Sequence, residues 1–347
     1  MSLLKKRYII LLAICLVIVC LPRLNQNDFG FIKNFVGKGD IHHEYIADGQ
    51  AVSFDVYQYI TYVKYFREQR TVDSLEAPFS YRPVVPWLAS FLPMNPMMAI
   101  NFVNILSLMV GLLYLIRILL ELGFNTRLQF AGGLFYVFSF PVFYNGAIGC
   151  IDPLPICLII VGIFYLLKKN YWLLSLAILI GIFTKESIIL ILPFIYGLVT
   201  MNRNNIKSRL QTGFLLFILF VIILVLPRFL SPSHKSYVWA PSFNLMVENL
   251  SRVKTYLSFL LSFGYLGIFA LIVCWNNRPG SQAQNIGLSP FIFGFIGALA
   301  FYGYSLISAY SDGRFIWMSY PFSIPISLYY LQSKDFKIFR IRKNPLP

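Results

Sequence analysis

The chain has 347 residues, of which 58% are hydrophobic and only 12% charged, and it carries a formal net charge of +15. A soluble globular domain has about 25% charged residues, so this composition excludes one and points to a single polytopic membrane domain over 1–347. The bases fall in short clusters between apolar runs, which is a topology signal; no nucleic-acid partner is expected.

Taken in order, the first apolar run, 8–22, follows Lys5, Lys6 and Arg7 in the manner of a signal peptide. The sequence Cys20-Leu21-Pro22-Arg23 offers no small-residue cleavage site, so the run is expected to stay as a first span. Nine further runs approach the roughly 20 apolar residues that a span needs: 97–120, 129–147, 150–167, 171–185, 186–201, 211–229, 255–275, 288–309 and 315–331. The fold class read from this pattern is all-α, with about ten transmembrane helices. The run 83–93 is too short and too proline-rich to span, and reads as a half-inserted approach to the second span. No fixed-period repeat is visible, which gives a repeat-built transporter no support. The five cysteines (Cys15, Cys20, Cys150, Cys157, Cys274) show no metal or disulfide spacing and read as small hydrophobes.

Ten spans place both termini on one side. The segments on that side hold sixteen bases against two acids, and the opposite segments hold thirteen bases against twelve acids. The positive-inside rule then makes the termini cytoplasmic, including a basic tail at 332–347. The other side carries a large first extracytoplasmic loop, 23–82, and a second at 230–254. Within the first, Val56, Ile60 and Val63 recur at helical spacing among charges, which predicts an amphipathic juxtamembrane helix on the membrane surface.

Charge beside a bilayer is costly and seldom idle. On the outer side lie Asp48, Asp55 and Tyr59 in the first loop, Tyr81-Arg82-Pro83 with Pro86 at the second span, and Asp152-Pro153. Gly181 with Thr184-Lys185-Glu186, and Asp312-Gly313-Arg314, complete the set. Orientation came from loop bases alone, yet these groups share one face. The pattern resembles the GT-C superfamily of membrane glycosyltransferases, which use polyprenyl-phosphate-linked sugars. The resemblance rests on the acidic residue in the first loop (Asp55 or Asp48), the Tyr81-Arg82-Pro83 stretch, Gly181-x-x-Thr184-Lys185-Glu186 and Asp312-Gly313-Arg314. It implies a sugar donor on a polyprenyl phosphate and a glycan, glycolipid or protein acceptor. It also implies a site on the extracytoplasmic face of an integral membrane protein, a bacterial inner membrane fitting the short chain, with undecaprenyl phosphate as carrier.

Such a transfer needs a base for the acceptor hydroxyl and cations for the departing phosphate. Asp55 is expected as base, with Asp48 as the other candidate. Arg82, Lys185, Arg314 and His234 are expected at the phosphate, with Asp152, Glu186, Asp312 and Tyr59 completing the site. Each has a plainer alternative. Asp55 and Asp152 suit helix N-caps, Lys185 and Glu186 suit a local ion pair, and Arg82 and Arg314 suit interfacial anchors. His42-His43 between Asp40 and Glu44 has no spacing that fixes a metal, and reads as polar loop. No cofactor is indicated, and the need for a divalent metal stays open. A glycan polymerase or ligase is the alternative function, though its large histidine-bearing loop comes late in the chain. A lipid-linked-sugar transporter or flippase ranks below both, because the charges cluster at span ends instead of mid-membrane.

Overall fold

The computed structural model describes residues 3–24, 45–47, 50–71, 75–200, 206–231, 241–276 and 287–333. Asp40, His42, His43, Glu44, Asp48, His234 and most of the basic tail lie outside the described residues.

The first apolar run is helix α1 (Leu3–Cys20). It buries Leu12, Leu16 and Cys20, one turn apart, and leaves Ile10, Ile14 and Ile18 exposed, the one-sided pattern of a helix between protein and lipid. A two-stranded antiparallel hairpin, β1 (Tyr45–Ala47) with β2 (Gln50–Val52), is the one sheet among the described residues. It leads into α2 (Phe54–Phe66), which follows extended Ser53 and carries Asp55 in its first turn and Lys64 in its last, both favourable to the helix dipole. Val56, Ile60 and Val63 are all buried. They pack on Phe79, Val85, Ile100 and Ile151, in a core separate from that of the main bundle. The helix expected on the membrane surface is therefore sealed by protein. Its apolar stripe is real, but the cover is α3 (Val84–Ser90) and the start of α4 (Pro96–Glu121).

Among the described residues, four helices are long and apolar enough to cross a membrane: α4, α10 (Ile206–Phe229), α12 (Val253–Asn276) and α13 (Ser289–Ser308). The chain is a helical membrane protein. Of the other expected spans, the first is the unbroken α1, and the rest are shorter helices bounded for local reasons. Residues 129–147 form α5 (Thr126–Val137) and α6 (Phe140–Asn145). There, extended Ser139 caps the Val142 amide and Pro141 enters the first turn. The stretch 150–167 is α7 (Pro153–Leu167), which begins at a proline. Residues 171–201 form α8 (Tyr171–Ile182), a 3-10 turn (Glu186–Leu190) and α9 (Ile191–Thr200), parted where Lys185 is fully extended. The last run is α14 (Gly313–Trp317) and α15 (Tyr320–Ser333). Between α10 and α12 lies α11 (Phe243–Ser251), and α12 itself breaks at Gly264, whose φ is +45°. These breaks place helix ends and polar backbone inside the bundle, and the charged groups sit at them.

Candidate functional site

Eight of the expected site residues meet at one end of the bundle, brought there by five separate stretches of chain. Asp55 and Tyr59 stand one turn apart on the N-terminal half of α2. Arg82 follows the 3-10 turn Phe79–Tyr81 and is held against the α8 end, where the Val84 amide donates to the Phe183 carbonyl. Asp152 immediately precedes α7. Lys185 and Glu186 occupy the α8–α9 junction, and Asp312 and Arg314 open α14.

Apart from Arg314 with Asp312, the pairing is long-range. Arg82 donates from Nε and Nη2 to Glu186 Oε2 at 3.1 and 2.9 Å, and from Nη1 to the Tyr59 hydroxyl at 3.0 Å. Lys185 pairs with Asp152. Lys185 and Glu186 thus each take a partner from elsewhere in the chain instead of forming the local pair that adjacency suggested. Arg314 donates from Nη1 to Asp55 Oδ2 at 3.0 Å and from Nε to Asp312 Oδ2 at 2.9 Å. It also lies 3.3 Å from the Cys150 thiol. Asp312 accepts from the Arg314 amide at 2.8 Å and so caps α14 as well. Asp55 is not the cap of α2, a position held by Ser53, and Asp152 makes no capping bond with its side chain.

Accessibility grades the four carboxylates. The Asp152 side chain is 2% exposed and Asp55 33%, with Glu186 and Asp312 between. Asp152 is therefore the buried counter-ion of Lys185, and Asp55 is the most accessible of the four carboxylates. Burial alone would weaken the charge on Arg82, but Glu186 and then Tyr59 more than offset it, so the guanidinium pKa is raised. Burial pushes the Tyr59 phenol up as well, despite the opposing charge of Arg82, so it stays protonated. Four carboxylates face three cations, and each cation already holds a carboxylate. An anionic ligand at any of them then competes with a carboxylate already bound there. Among the described residues, no group of three or more histidine, cysteine or acidic side chains is placed to hold a metal ion.

Asp48 and His234 lie outside the described residues, so the site is built here without them. Sequence reasoning missed its supports. Asn101 and Asn104, three apart on α4, hold the turn before Asp152: Asn101 Oδ1 accepts from the Gly149 amide at 2.7 Å, and Asn104 donates to the Cys150 carbonyl at 2.5 Å. Their signal was available, since two asparagines on one face of an apolar span need partners inside the protein. Gly149 has φ +86°, and a Cβ there would lie 2.8 Å from Val56. Cys150, read as a small hydrophobe, brings its thiol to Arg314. No protein-family model matches the chain, and no curated protein and no solved structure matches it.

Proposed function

We propose that the chain is a GT-C-like membrane glycosyltransferase of about ten membrane-crossing segments. It moves a sugar from a polyprenyl phosphate to a glycan, glycolipid or protein acceptor on the extracytoplasmic face, with both termini cytoplasmic. The observation that carries this reading is the pair Asp55–Arg314, a partly accessible carboxylate and a guanidinium 3.0 Å apart, backed by five further charged groups and Tyr59. Stability alone is a poor reason to assemble such a set. A buried ion pair is often no more stabilising than apolar side chains of similar volume. Charge kept in this position reads as chemistry.

The step is a single displacement. Asp55 takes the proton of the acceptor hydroxyl as its oxygen bonds to the anomeric carbon. The bond from that carbon to the phosphate oxygen breaks, and the polyprenyl phosphate leaves with the electron pair. Arg314 is the nearest cation for that phosphate, bidentate by nature. As it turns from Asp55 to the phosphate it frees the carboxylate to act, so donor binding and base activation are one exchange. Arg82 and Lys185, clamped by Glu186 and Asp152, are fixed donors at the edge of the phosphate position and are not free to move.

The test is transfer of labelled sugar from a panel of synthetic polyprenyl-phosphate monosaccharides by the purified full chain, with wild type and Asp55→Asn in parallel. Wild-type turnover with a loss on the order of 10²- to 10⁴-fold in the variant is expected for a lost base. Full activity of Asp55→Asn removes Asp55 from that role. Failure of folded wild type to turn over any donor removes the function and favours the polymerase or transport alternative.

A further inference from the structure

Arg314 depends on a strap, residues 309–312, that joins α13 to α14, and that strap is fixed from outside by one side chain of α11. Asn249 is fully buried. Its Nδ2 donates to the Leu306 carbonyl at 2.8 Å and to the Ala309 carbonyl at 2.7 Å, while its Oδ1 accepts from the Ser311 amide at 3.0 Å. The carbonyls at the C-terminal end of α13 have no partner inside their own helix, and Ala309 and Asp312 are extended. A primary amide is the side chain that satisfies two such carbonyls and one amide hydrogen together. An aspartate offers no donor when ionised, and an alanine offers nothing. The same corner is closed by the Ser242 amide on the Ile307 carbonyl at 2.9 Å and by the Ser305 and Ser311 hydroxyls at 2.8 Å. Arg314 follows Ser311 by three residues, with Gly313 between Asp312 and Arg314. A Cβ on Gly313 would meet the Ser258 carbonyl at 2.8 Å, so the strap is pressed onto α12.

We propose that Asn249 is a positioning residue for the reaction, which sets the Arg314–Asp55 contact by fixing the strap. As a contribution to catalysis this rests on the glycosyl-transfer reading; as a statement about Asp55 it does not. The second outer segment, which supplies α11, is thereby a working part of the site and not only a connection between spans. Asn249 touches no reacting atom, and its effect is transmitted through Ser311, Asp312 and Arg314.

Two readouts test it on the purified full chain in detergent. The first is the rate at which a water-soluble carbodiimide modifies Asp55, read by peptide mass spectrometry, which needs no transfer activity. Asn249→Ala and Arg314→Gln should each raise that rate several-fold, and the double variant should show no further rise, because both act through one contact. The second is transfer kinetics, where kcat/KM for the donor should fall on the order of 10- to 100-fold, as for a reacting group displaced by about 1 Å. Asn249→Asp, which keeps the acceptor of the Ser311 amide and loses both donors, is the second variant where Asn249→Ala does not fold, and should lie between it and wild type in both. Unchanged Asp55 labelling in a folded variant, or a rise that adds to that of Arg314→Gln, overturns the proposal. The expected labelling without turnover by wild type supports the positioning role and removes the glycosyltransferase.

Discussion

Arg82 makes three side-chain hydrogen bonds to two partners, and its side chain is only 14% exposed, against 21% for Glu186. Removing one member of such a pair leaves the other charged and poorly hydrated, which costs about 3–5 kcal/mol, whereas removing both costs far less. Arg82→Met should therefore lower the midpoint of unfolding in detergent sharply. Adding Glu186→Leu should recover most of the loss. If the chain transfers glycosyl groups as proposed, activity should not return with the stability, because the Arg82 donors beside the departing phosphate are gone. Recovery of both together would mean that the Arg82–Glu186 pair serves packing alone. Tyr59→Phe is the milder companion: it removes only the acceptor of Arg82 Nη1, worth about 1.5–3 kcal/mol as a bond to a charged group.

Helix α2 is the element that converts sequence into site geometry. Its buried stripe fixes its rotation, and that rotation aims Asp55 and Tyr59 at the network. Gly149 is the point where the next layer touches it. Gly149→Ala faces both a Cβ contact of 2.8 Å with Val56 and a φ of +86°, and should destabilise the chain and weaken Asp55-dependent activity. Pairing it with Val56→Ala relieves the contact but not the backbone strain, so roughly 1–2 kcal/mol of the loss should persist in denaturation; full rescue would show that the contact was everything. The helical pattern Val56, Ile60, Val63 was legible in the sequence, but not what covers it, because lipid and protein demand the same apolar stripe. The site residues were legible as charges at the ends of apolar runs. Their partners were not: adjacency paired Lys185 with Glu186, whereas the extended Lys185 backbone turns the two side chains to Asp152 and Arg82. Asn249 and Cys150 carried no pattern of their own and acquire meaning only from the strap and the guanidinium beside them.

At the scale of the whole molecule, α4 and α7 both start at the network and both end at the ion pair between Glu121 and Lys168, 2.6 Å apart. The two helices run parallel, and these charged clusters mark opposite ends of the bundle. With 15 residues, α7 covers only about 22 Å at 1.5 Å per residue, less than the roughly 30 Å of a bilayer core. A helix of that length crosses only if one end is recessed below the headgroups, and a recessed end at Asp152 puts the network where water is scarce and a lipid phosphate is near. On the proposed orientation, with both termini cytoplasmic, the recessed end lies on the outer side. A membrane-impermeant maleimide checks this directly, in a background where Cys15 and Cys274 are serine. Glu68, just past α2, and Lys169, just past α7, are both exposed. Glu68→Cys should react in intact cells and Lys169→Cys only after permeabilisation. The reverse pattern would put the site on the cytoplasmic face and with it remove a lipid-linked donor presented from outside. Reaction of both from one side would mean that α4 and α7 do not cross the membrane at all, and the network would then belong to a domain lying on one leaflet.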